Sequence, residues 1–278
     1  MLNFSVFYEI YNFVIERKKD DGGFGATVLL PATIEDTFYA IEILEILKNF
    51  VKNKDLYEPQ KDKHLITWLG DKLREIEYFG NSPKILWYLC KIFSLTNLRY
   101  LEKFREAFLD IIIKNKKYLK ILETGYLDKL FYIGKVCGFL SIKIDPILNT
   151  FFRFRTVKDL FMILWLSKNK FINWEYKKEK ILNWLKNCQN FDGGFGFFPG
   201  TTSYLENTYF ALKSYQLLNK IPENPYKILD FIFSCYVGKG GFARKPGGSS
   251  FLESTYFGVK SIKEIYKWNL TKNLFFIL

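Results

Sequence analysis

Apolar residues along this chain recur at helical spacing. Ile181, Leu182, Trp184 and Leu185 fall at i, i+1, i+3 and i+4, one face of an α-helix. Tyr209, Leu212, Tyr215 and Leu218 carry the same rhythm onward. Period-two alternation is absent, and Pro and Gly fall between the helical segments. The pattern predicts an all-α chain of six helix pairs: 3–18 with 34–50, 62–78 with 83–95, 98–115 with 126–140, a short segment near 145–152 with 156–168, 174–188 with 203–219, and 225–236 with 251–269. The second pair is joined across Phe79-Gly-Asn-Ser82 and the third across a connection containing Gly125.

Three of the connections are copies of one another. Gly22-Gly-Phe24, Gly193-Gly-Phe195 and Gly240-Gly-Phe242 are each followed by a glutamate thirteen residues after the first glycine, at Glu35, Glu206 and Glu253. An aromatic-rich turn follows each glutamate: Asp36-Thr-Phe-Tyr39, Asn207-Thr-Tyr-Phe210 and Ser254-Thr-Tyr-Phe257. The second and third copies are 47 residues apart and agree upstream, ILNWLKNC at 181–188 against ILDFIFSC at 228–235. Each unit therefore reads as helix, glycine loop, helix. Units of this size cannot bury a face alone and must stack, as an open solenoid or as a ring. The repeats are clear over 1–50, 174–220 and 224–270 and degenerate between, which reads as a single domain over 1–278.

The glycine loops resemble the repeat of the terpenoid-cyclase and protein-prenyltransferase superfamily. Cys188-Gln189-Asn-Phe-Asp192-Gly-Gly-Phe195 is similar to the CQ…DGGFG core of prenyltransferase β-subunit repeats and to the end of the squalene-cyclase QW motif. Lys239-Gly-Gly-Phe-Ala-Arg-Lys-Pro-Gly247 resembles the GGF…KPG loop of the same subunits. The resemblance implies an (α/α)6 toroid whose inner helices follow the glycine loops around an axial cavity. It also implies an isoprenoid ligand and a helical-repeat partner subunit. A phosphate-cradling reading of the glycines lacks both the G-x-G-x-x-G and the G-x-x-x-x-G-K-[ST] pattern, so turn formation is the better account.

The family's catalytic signatures are missing. The prenyltransferase zinc ligands, an Asp-x-Cys and a His at inner-helix starts, align here with Tyr204, Glu206 and Glu253. His64 is the only histidine and lies in an unrelated helix. No metal or cofactor is expected from such a set. The cyclase DxDD and the terpene-synthase DDxxD are also absent.

The remaining catalytic candidates are Glu35, Asp36, Glu206 and Glu253. Ser203-Tyr-Leu-Glu206 and Ser250-Phe-Leu-Glu253 read as complete capping boxes, which favours a structural role for those glutamates. In Thr33-Ile-Glu35-Asp36 the aspartate takes the capping place, which leaves Glu35 free for chemistry. Tyr39, Trp87, Tyr132, Trp165, Tyr209 and Tyr256 either line a ligand cavity or fill the core. Arg244 and Lys245, with Arg153 and Arg155, are candidates to hold an anionic head.

Composition narrows the setting. The formal charge of +12 is spread through scattered lysines with no like-charged block, so a solvated basic surface is favoured over a nucleic-acid footprint. The 29 Phe and 18 Tyr among 278 residues call for a bulky interior or a lined cavity. Cys90, Cys137, Cys188 and Cys235 form no CxxC, fitting buried packing and a cytoplasmic setting. No run is long and apolar enough for a transmembrane helix, and the tail at 273–278 is expected to pack on the body.

Overall fold

The computed structural model describes residues 4–51, 56–80, 82–114, 127–143, 153–238 and 240–268. The predicted segment near 145–152, the Gly125 connection and the tail at 273–278 lie outside them. The described helices are α1 (Phe4–Ile15), α2 (Ile34–Leu47), α3 (Lys63–Arg74), α4 (Pro83–Thr96), α5 (Leu98–Lys114), α6 (Leu127–Phe139), α7 (Val157–Lys168), α8 (Lys178–Cys188), α9 (Leu205–Leu217), α10 (Pro225–Ser234) and α11 (Leu252–Lys267). Residues 174–177 were expected to begin α8 but stay irregular, and the Trp174 and Tyr176 rings stack there at 4.9 Å.

Six helices form a closed inner ring. α2 packs on α4, α4 on α6, α6 on α7, α7 on α9, α9 on α11, and α11 returns to α2. The ring with its outer helices is the (α/α)6 arrangement that the resemblance implies. The sixth outer position would fall at 145–152, outside the described residues.

The glycine loops explain how neighbouring pairs stack. Gly22, Gly193 and Gly240 have φ of 107°, 89° and 93°, which L side chains rarely adopt. Each also lies against a neighbouring outer helix. A Cβ on Gly22 would meet the His64 carbonyl on α3, one on Gly193 the Lys227 carbonyl on α10, and one on Gly240 the Glu9 carbonyl on α1. The last contact joins the final repeat to the first helix and helps close the ring.

The thirteen-residue spacing has a hydrogen-bond cause. The buried backbone N–H of Phe24 donates to Thr37 Oγ1 at 2.9 Å, that of Phe195 to Thr208 Oγ1 at 3.1 Å, and that of Phe242 to Thr255 Oγ1 at 3.0 Å. Each loop phenylalanine is fully buried and is tied by its amide to the first turn of the following inner helix. The four cysteines are buried, and burial pushes each thiol up to about 12. Among the described residues no helix is long and apolar enough to cross a membrane.

Candidate functional site at the axial mouth

The second residue of every inner helix is charged: Glu35, Lys84, Asp128, Lys158, Glu206 and Glu253. Together they form one layer at the N-terminal end of the ring. Glu35 pairs with Lys84 at 2.6 Å and Asp128 with Lys158 at 2.8 Å. Glu206 accepts from Arg244 Nε at 2.6 Å, and the Arg244 guanidinium lies 4.1 Å from the Tyr204 ring.

Three and four residues deeper, each inner helix carries bulky apolar or aromatic side chains. They are Phe38 and Tyr39, Trp87 and Tyr88, Phe131 and Tyr132, Phe161 and Met162, Tyr209 and Phe210, and Tyr256 and Phe257. These rings pack on one another between neighbouring inner helices. Phe38 stacks on Tyr88 at 4.1 Å, Phe161 on Phe210 at 5.5 Å, and Tyr39 meets Tyr256 at 5.1 Å.

A recess of about 360 Å³ opens above the aromatic layer. Every inner helix contributes to its wall, through Tyr39, Lys84, Tyr132, Lys158, Glu206 and Glu253, and Arg244 lies at its edge. A second recess of about 670 Å³ adjoins it, shares Tyr39, Lys84 and Glu253, and adds Glu35 and Asp36. Trp87, Trp165, Tyr209 and Tyr256 are not among the lining residues of these two recesses. Trp165 packs on Phe131 and Phe171 at 5.3 and 5.8 Å. Lys245, Arg153 and Arg155 are exposed and line neither recess.

Tyr39 is the hub of the mouth. Its hydroxyl lies 3.0 Å from Glu35 Oε1, 3.1 Å from Glu253 Oε1 and 3.2 Å from the Tyr88 hydroxyl. Burial, with Tyr88, Glu253 and Glu35 nearby, raises its pKa far above the ordinary phenol value, so it keeps its proton. One phenolic proton can serve one carboxylate at a time. Glu35 has Lys84 as a second partner, whereas Glu253 has no cation within ion-pair distance among the described residues. Asp36 accepts from the Thr33 hydroxyl at 2.6 Å, and burial raises its pKa.

The capping boxes expected at Ser203–Glu206 and Ser250–Glu253 do not form. α9 and α11 begin one residue later, with Tyr204 and Phe251 in the N-cap place and no side-chain cap bond. The Tyr204 and Phe251 amides instead donate to the Phe195 and Phe242 carbonyls, so the loop fixes the helix start. Ser203 is turned inward and donates to Asp192 at 2.8 Å. Both glutamates are left to the mouth. Thr33 does cap α2, accepting from the Asp36 amide at 3.0 Å.

The mouth lysines, Lys84 and Lys158, escaped the sequence reading because their helices lack a glycine-loop signature. The signal that would have found them is register, since Lys84 lies three residues before Trp87 and Lys158 three residues before Phe161.

Comparison with known proteins agrees with this geometry. A family model for the prenyltransferase alpha-alpha toroid domain matches residues 2–123, 154–220 and 201–272. The chain belongs to that family. One stretch of 44 residues is 46% identical to the geranylgeranyl transferase type-1 subunit beta of Arabidopsis thaliana. That stretch covers 16% of this chain and 12% of that subunit. The zinc ligands that the resemblance implies do not fit this toroid. Glu206 is engaged by Arg244 and Glu253 by Tyr39, and no group of three His, Cys, Asp or Glu among the described residues could hold a metal ion.

Proposed function

We propose that this prenyltransferase-like toroid binds an isoprenoid or comparably long apolar ligand at the axial mouth. One observation carries the reading: a recess walled by all six inner helices sets a charged rim directly above aromatic side chains. Such a site suits an amphiphile, with its polar head among Lys84, Lys158 and Arg244 and its apolar part on Tyr39, Tyr132, Phe210 and Phe257. The two adjoining recesses supply the volume, since the aromatic layer below is filled by its own ring contacts.

Glu253 is the carboxylate best placed to move a proton. It faces both recesses, its described partner is a phenol, and Tyr39 links it to Glu35. Tyr39 would hold the two carboxylates in register, donating its hydrogen bond to one or the other. The test is incubation with prenyl diphosphates of graded length, read by native mass spectrometry for bound ligand or product. Retention that weakens at least tenfold in Tyr39→Phe or Glu253→Gln is expected. Folded wild-type protein that retains none of them would remove the reading.

A second reading is supported by the connectors around the mouth. Val28, Leu29 and Leu30 are 59%, 96% and 52% exposed, and Phe198 and Phe251 are also exposed. All five precede inner-helix N-termini and so ring the same end. An apolar rim of this kind suits a protein partner seated over the mouth. Leu29→Asp would abolish such a complex in sedimentation analysis and leave ligand retention intact.

A further inference from the structure

A second charged layer lies seven residues deeper than the first, about 10.5 Å further along the inner helices. It consists of Glu42 on α2, Lys91 on α4, Lys135 on α6, Trp165 on α7, Lys213 on α9 and Lys260 on α11. Glu264 and Lys267 on α11 extend it. Lys260 pairs with Glu42 at 2.6 Å, and Lys91 approaches the same carboxylate at 3.7 Å. Lys213 and Lys267 share Glu264 at 3.4 and 3.0 Å. Among the described residues no carboxylate lies within ion-pair distance of Lys135. Its ammonium sits 4.2 Å from the Trp87 ring and 5.5 Å from the Phe131 ring.

Here, in the C-terminal halves of the inner helices, four ammonium groups share two largely buried carboxylates, Glu42 and Glu264, and the fifth, on Lys135, has none among the described residues. Helix dipoles favour cations at this end, but each contributes only a partial charge that fades within a turn. The excess is costly in a partly desolvated interior. Burial, and then Lys260, push Lys135 down to about 7, with Lys213 and Lys91 adding to the effect and Glu42 opposing it. Burial also lowers Lys213, in spite of Glu264. The lysines are still reachable: the Lys91, Lys213 and Lys260 side chains keep 20%, 21% and 19% of their surface accessible.

We propose that this lysine layer is an anion site, separate from the mouth, that takes a compact multivalent oxyanion of the phosphate or diphosphate type. Lys135 supplies the unpaired donor, Lys213 and Lys91 add donors that each share a carboxylate with another lysine, and Lys260 stays committed to Glu42. The anion is either a free phosphate compound or the head of a longer molecule. The site does not depend on apolar ligand binding at the mouth.

Amine-acylation footprinting of the wild-type protein, with and without inorganic pyrophosphate, tests the proposal without a variant. Saturable protection of Lys91, Lys135 and Lys213 by at least threefold is expected, with the exposed Lys245 unchanged. Protection confined to Lys84 and Lys158 would place the anion at the mouth and overturn the proposal, as would no protection anywhere. Lys213→Met should weaken pyrophosphate binding at least tenfold, and Lys245→Met, at an exposed lysine that lines neither recess, should leave it within twofold. Equal weakening by both variants would also count against a separate site. Replacing pyrophosphate with a prenyl diphosphate distinguishes a free anion from the head of an amphiphile. Protection that requires the prenyl chain would contradict a site for free pyrophosphate.

Discussion

Thr208 carries one of the three bonds that hold a buried loop amide to the next inner helix. Thr208→Val keeps the shape and orphans the Phe195 N–H, which costs about 1–3 kcal/mol. The expected result is a lower urea midpoint with an unchanged slope. This threonine was visible in the sequence as part of a recurring motif, but its partner was not, because a bond across thirteen residues depends on the loop's path. Lys135 was missed altogether, since a lone lysine in an apolar segment has no motif. Its folded pKa of about 7 lies below the ordinary 10.5, so between those values the unfolded chain binds the extra proton. Stability contributed at this position therefore rises as pH climbs from about 7 to about 10.5. Lys135→Met should be more stable than wild type by roughly 1–3 kcal/mol near neutral pH, a figure reduced for partial exposure. Paired thermal melts should show the gap closing toward pH 10.

At the scale of elements, three of the helix pairs were legible from the glycine loops that punctuate them. At α9 and α11 the N-cap lies one residue beyond the place that the S-x-x-E pattern predicts. Tertiary pairing of the loop overrode that local pattern, as the Tyr204 and Phe251 amides show. The shift matters, since it turns Glu206 and Glu253 from caps into mouth residues. The loops themselves permit a graded test. Gly247 has φ of 76° with open space around it, whereas Gly240 has φ of 93° and lies against the Glu9 carbonyl. Gly247→Ala should cost only the left-handed backbone strain, about 1–2 kcal/mol. Gly240→Ala should cost at least about 2 kcal/mol more, because α1 must move away and packing is lost. Denaturant titration of the two variants gives the comparison.

Over the whole molecule, the repeats fitted an open solenoid as well as a ring, the family resemblance implied the ring, and neither revealed how the axis is filled. The axis is layered: a charged mouth, packed aromatics, then a lysine-rich layer. Aromatic residues alone could not distinguish a cavity from a core, because both draw on the same side chains. The structure shows both conditions, with rings packed in the middle and recesses above them. The most direct test of the account is photoaffinity labelling with an isoprenoid diphosphate that carries a reactive group on its chain, mapped by mass spectrometry. The account predicts competable labels on Tyr39, Tyr132, Phe210 or Phe257. Labels confined to the outer helices α3 and α5, or labelling that unlabelled ligand does not compete away, would contradict it.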